Sequence, residues 1–151
     1  MIKIDYPQHN FRVKEEQGKK MIFDELRKSW LILTPEEWVR QNFVRFLLSR
    51  NIPSALIAVE KKIMLGELSK RFDIVVFDNA HQPWMIVECK AMSVPLSEQV
   101  LHQVLRYHIA IPAVYVAITN GVQSAVYGKE GGRLIELHEF PTGIFPVQHN
   151  S

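Results

Sequence analysis

The stretch from Arg71 to Ala91 reads RFDIVVFDNAHQPWMIVECKA. Two apolar runs, Ile74 to Phe77 and Trp84 to Val87, flank the polar cluster Asp78-Asn79-Ala80-His81-Gln82-Pro83. Short apolar runs separated by turn-forming residues predict strand, turn and strand. A hairpin symmetric about Ala80-His81 sets Asp73 opposite Glu88. Side chains alternate along a strand, so Glu88 and Lys90 share one face and Cys89 takes the other. Two carboxylates and an ammonium then meet at the outer end of a buried hairpin. Charges on a buried-type face need a partner or a metal. An Asp73–Lys90 or Glu88–Lys90 ion pair meets that need without any catalytic role.

The flanking chain supplies a frame. Thr34-Pro35-Glu36-Glu37 is a helix start, with Thr34 as cap and Pro35 in the first turn. Glu37 stands three residues after Thr34, the capping-box spacing. Trp38, Phe43, Phe46 and Leu47 recur at helical spacing, and Asn51 and Pro53 end the helix. Leu56 to Val59 reads as a strand, continuing irregularly to Glu67. After Pro95, residues Leu96 to Ala110 read as a second helix, stopped by Pro112. Ala113 to Thr119 is a central strand, Asn120-Gly121 a hairpin turn, and Val122 to Tyr127 and Arg133 to Leu137 further strands. Residues 1–33 read as an arm or hairpin, with Gln17-Gly18 as a turn. Residues 129–151 read as a last strand and a Pro/Gly-rich tail fraying at Asn150 and Ser151. The order is helix, three strands, helix, strand. It predicts one α/β domain around residues 34–128: a three-layer αβα arrangement, a central mixed sheet and extra strands at both ends. The strand after the second helix returns parallel through a right-handed crossover.

Composition narrows the function classes. No apolar run reaches the roughly 20 residues of a membrane span. The first five residues carry no apolar leader. The single cysteine, Cys89, excludes an internal disulfide and a cysteine zinc cage. These features favour a cytoplasmic protein. A formal charge of +2 does not announce a nucleic-acid binder in bulk, and leaves a local patch at Lys61, Lys62, Lys70 and Arg71. The six histidines lack ligand-pair spacing; His102 and His108 are six apart.

Asp73, Glu88 and Lys90 have the chemistry of a metal-assisted hydrolytic site. Mg²⁺ takes hard oxygen ligands and keeps several waters, so one or two carboxylates suffice. Asp73 and Glu88 are the candidate ligands, with the carbonyl of Cys89 a third. Lys90 can hold a water and stabilise its ionised form.

Asp73 followed by Glu88-Cys89-Lys90 resembles the D…(D/E)xK signature of the PD-(D/E)XK nuclease superfamily. The resemblance is closer to the N-terminal nuclease domain of type I restriction enzyme R (motor) subunits. It is carried by Leu33 to Gln41, Arg71 to Val76, Ile86 to Ala91, Gln103 to Tyr107 and Ile118 to Gly121. It implies a restriction-endonuclease-like fold, a Mg²⁺ or Mn²⁺ cofactor and DNA as substrate. Cutting both strands of a duplex calls for two active sites and so allows a homodimer, and the resemblance allows a restriction-system or helicase partner. Gln103 and Tyr107 match that branch's Q-xxx-Y motif and lie one helical turn apart. It casts them as positioning water or DNA backbone near Lys90. Glu37 matches the first-helix carboxylate that joins the metal site in many relatives. Capping alone would also explain Glu37, and Glu36 competes for the role. Arg40, one turn on, can touch a phosphate or pair with either glutamate. Phe72 stands where relatives often have proline. No GxxxxGK[ST] loop is present, so ATP-driven translocation is not expected of this chain alone. The alternative is the same fold without turnover, docking DNA or a protein.

Overall fold

The computed structural model describes residues 1–142. Nine strands and two helices follow one another in the order β1 (Val13–Glu16), β2 (Lys19–Asp24), β3 (Ser29–Ile32), α1 (Pro35–Ser49), β4 (Ile57–Leu65), β5 (Leu68–Phe77), β6 (Pro83–Cys89), α2 (Glu98–His108), β7 (Tyr115–Thr119), β8 (Ser124–Glu130) and β9 (Arg133–Glu136). Strands β4 to β9 form one sheet in sequence order. It is antiparallel except between β6 and β7, where Met85 aligns with Tyr115 and Cys89 with Thr119 in parallel. The crossover through α2 produces that parallel pair. Strands β1 to β3 form a separate three-stranded sheet. The arm expected before residue 34 is therefore a small sheet of its own, because Gln17 and Gly18 both take positive φ and close a tight turn.

The fold is a restriction-endonuclease-like αβα arrangement, with one helix on each face of the mixed sheet. Alternation along the strands sorts the core. Ile74, Val76, Met85 and Val87 pack with Val39, Phe43 and Leu47 of α1. On the other face Val116, Ile118 and Ala125 pack with Leu101 and Val104 of α2, while Val75 and Ile86 join Phe72 and Ile111. Trp38 departs from the expected core pattern: it is 38% exposed and stacks on Phe11 of the N-terminal arm.

Helix α1 begins as expected. Thr34 is extended, and its Oγ1 accepts from Glu37 N at 3.0 Å. Ser97 caps α2 in the same way, accepting from Val100 N at 3.3 Å. The longest departure lies in β5. It starts at Leu68 rather than near Asp73, and pairs with β4 to form a ribbon turning at Gly66. Asp73 is therefore mid-strand, not at a strand end. β6 pairs with β5 only as far as Ile74↔Val87, and β5 continues past it. Among the described residues no helix is long and apolar enough to cross a membrane. The tail expected from Gly143 to Ser151 lies outside the described residues.

Candidate active site

The hairpin register decides where the charges fall. Ile74 pairs with Val87, so the next position outward brings Asp73 opposite Glu88. A shift between Val76 and Phe77 absorbs the asymmetry of the turn. That turn is held by Asp78, whose Oδ1 accepts from Ala80 N at 2.9 Å and Gln82 N at 3.0 Å. Three irregularities coincide at Asp73. The β4 ladder skips the Glu60/Asp73 pair, Glu60 takes φ +49°, and β6 has lost its partner there. Neighbouring Phe72 and Ile74 consequently belong to core clusters on opposite faces. Asp73 Oδ2 uses the gap to accept from Cys89 N at 2.8 Å.

In front of this pair lies a cleft of about 510 Å³. Glu88 and Lys90 line it from β6 and the residues just beyond, and Gln103, Tyr107 and His108 from α2. Glu36 lines it from α1, and Arg71 from β5. Its apolar wall is Val94, Val100 and Val104. Asp73 is not among the lining residues; it stands opposite Glu88, its Oδ2 on the β6 backbone at Cys89 N. Lys90 Nζ is 3.8 Å from Glu88 Oε1. Cys89 is buried on the opposite face, as alternation requires, and burial pushes its thiol well above the usual range. Burial first, and then the charge of Asp73, lift the Glu88 carboxyl to about 7; Lys90 pulls the other way. Tyr107 is exposed at the rim, its ring 3.7 Å from Lys70 Nζ.

Glu37 is not brought to the cleft. It is 4% exposed, and its oxygens face Arg27 Nη2 at 2.9 Å and Arg40 Nε at 2.8 Å. The Arg40 contact is a charge contact without hydrogen-bond alignment. The reciprocal half of the capping box is thus replaced by ion pairs. Arg40 also reaches Glu60 Oε1 at 2.7 Å, and Arg27 pairs with Asp24. The helical turn puts Glu36, one residue earlier, on the cleft side.

His108 was passed over in the sequence because it has no ligand-spaced partner along the chain. It is 2% exposed, and its Nδ1 lies 2.7 Å from Val104 O. A carbonyl only accepts, so Nδ1 carries the hydrogen and Nε2 is a bare acceptor. That Nε2 lies 3.9 Å from Glu88 Oε2 and has no hydrogen-bond partner. Burial lowers the pKa of His108, which keeps it neutral near pH 7. Its adjacency to Tyr107 on the last turn of α2 was the only sequence signal.

A divalent cation suits this donor set. Glu88 faces the Asp73 carboxylate and the lone pair of His108, with Lys90 the nearest cation. Among the described residues no three His, Cys, Asp or Glu side chains are already arranged to hold an ion. Mg²⁺ needs only one or two protein carboxylates and completes its shell with water or phosphate.

The sequence profile of the type I restriction enzyme R protein N terminus matches residues 35–141. The chain belongs to this family. The match begins at the first residue of α1 and takes in the six-stranded sheet, α2 and every cleft residue named above. The three-stranded sheet precedes it. A comparison with curated proteins returned no match. Membership in the restriction enzyme R protein N-terminal family agrees with the nuclease resemblance read from Asp73, Glu88 and Lys90.

Proposed function

We propose that this R protein N-terminal domain hydrolyses DNA phosphodiester bonds with the help of Mg²⁺ or Mn²⁺. One observation carries the reading: Glu88, Lys90, Gln103 and Tyr107, drawn from separate elements, line one cleft, with Asp73 across the ladder from Glu88. Asp73, Glu88 and the Cys89 carbonyl are the metal ligands, and Glu36 replaces Glu37 as the further carboxylate at the cleft. When bound, the ion supplies Lewis acidity toward the phosphate and favours ionisation of a nearby water.

The chain's own groups do the rest. Lys90 holds the attacking water by hydrogen bonding and lowers the cost of its negative charge. Gln103, with both a donor and an acceptor, orients that water or a phosphate oxygen. Tyr107 donates its hydroxyl proton to the DNA backbone at the rim. Arg71, and Lys70 over the Tyr107 ring, attract phosphate to the cleft mouth. Water gives a proton to solvent as its oxygen bonds to phosphorus, one P–O ester bond breaks, and the leaving oxygen takes a proton from solvent.

A binding module without turnover is the second reading, favoured by the lack of a preformed three-ligand cluster. The experiment is incubation of purified protein with supercoiled plasmid and Mg²⁺ or Mn²⁺. Nicking is expected, with loss in Lys90→Ala and in chelator. Equal cleavage by wild type and Lys90→Ala refutes the assignment. No cleavage, with salt-sensitive DNA binding retained, selects the binding module.

A further inference from the structure

We propose that His108 is a nitrogen ligand of the metal site, so that the cleft favours later first-row divalent ions over Mg²⁺. The inference rests on the metal-site reading above and deepens it. The imidazole is held as ligating histidines usually are: one ring N–H donates to a backbone carbonyl, fixing the tautomer and aiming the other nitrogen at the ion. Here the carbonyl is Val104 O at 2.7 Å. Nε2 is sealed from solvent and makes no hydrogen bond, a costly arrangement for a lone acceptor.

What faces it decides the matter. Glu88 Oε2 lies 3.9 Å from Nε2 and is itself an acceptor when ionised. With Glu88 ionised both atoms are acceptors, and a cation between them satisfies both. An ion bonded at about 2.1 Å to each spans that gap. Phe72 and Tyr107 hold the ring sideways, with centroids 5.5 Å away in both cases. Lys70 and Lys90 are two of the cations whose charge acts on His108. Lys70 is drawn onto the Tyr107 ring and Lys90 toward Glu88 Oε1, so neither occupies the position facing Nε2. Imidazole suits later first-row ions better than Mg²⁺, whose preference is for oxygen.

The test is metal binding, read without turnover. Pulsed EPR of Mn²⁺ on the whole chain should show a directly coordinated ¹⁴N that changes character when histidine is ¹⁵N-labelled. Calorimetric titration of His108→Gln, which puts an amide oxygen near the Nε2 position, should show Co²⁺ affinity reduced at least about tenfold. Mg²⁺ affinity should be nearly unchanged. Should His108→Gln not fold, the isotope comparison on wild type stands alone. Mn²⁺ bound without nitrogen coupling overturns the role of His108 and leaves the carboxylate site intact. Failure of wild type to bind any of the three ions overturns the metal-site reading and this inference together.

Discussion

Glu36 and Glu37 are adjacent in sequence and opposite in environment. Glu36 faces the cleft beside Glu88, whereas Glu37 is buried between Arg27 and Arg40. Exchanging each for glutamine separates the two roles. Glu36→Gln should reduce DNA cleavage several-fold with an unchanged melting temperature. Glu37→Gln should lower stability by about 1–2 kcal/mol and leave cleavage per folded molecule intact. That is less than the 3–5 kcal/mol usual for a broken buried pair. Burial already disfavours the Glu37 charge, so the loss comes from setting the glutamine NH₂ against an arginine N–H and not from the charge itself, and Arg27 and Arg40 keep Asp24 and Glu60 as partners. Thermal melts beside a plasmid-nicking assay measure both; loss of activity in Glu37→Gln with no change in melting would reverse the assignment. The sequence could not separate these residues. A helix turns 100° per residue, so one step moves a side chain from cleft to core, and only the partners across that core show which residue goes where.

The β4–β5 ribbon is the element that departs furthest from expectation. Beyond Phe72 it carries Lys61, Lys62, Lys70 and Arg71 against the single acid Glu67. Lys62 pairs across the ribbon with Arg71, and Met64 with Ser69, so these four share one exposed face. Arg71 continues that face into the cleft wall. Under the nuclease reading the ribbon meets the phosphate backbone. Lys62→Glu with Arg71→Glu should weaken DNA binding and reduce the salt slope, the fall of log K with log salt, by about 2. Filter binding across a salt series in EDTA checks this, and an unaltered slope would place the DNA elsewhere. Lys62 and Arg71 were visible in the sequence only as part of a scattered patch with Lys61 and Lys70, which lie on the other face. The alignment of Lys62 with Arg71 depends on cross-strand register, which the irregular, Gly-containing stretch around Leu65-Gly66 does not reveal.

At the scale of the whole molecule, Asp24, Arg27, Glu37, Arg40 and Glu60 form a chain of charges from the N-terminal sheet through α1 to β4. Its members respond to pH with opposite signs. Hydrogen bonding from Arg40 holds the Glu60 carboxyl below its usual range. Its contribution is therefore present above the unfolded value of about 4.3 and is lost as pH falls through the folded one. Burial raises Glu37, so its contribution is present below the unfolded value and is lost as pH rises through the folded one. Glu60 is 41% exposed, which screens its pair to under about 1 kcal/mol. Wild type and Glu60→Gln should differ slightly in urea midpoint at pH 7 and converge once pH has fallen through the folded Glu60 value; a gap independent of pH would remove Glu60 from the acid response. By itself the sequence determined the start of α1, the parallel return of β7, the buried side of Cys89 and the register that sets Asp73 against Glu88. Each follows from a local rule: a cap, a crossover, or alternation about a short turn. Tertiary structure alone decided which of Glu36 and Glu37 lines the cleft, the length of β5 and the presence of His108 beside Glu88. These depend on which surfaces meet across layers, and contact between Val104, His108 and Glu88 leaves no periodic trace along the chain.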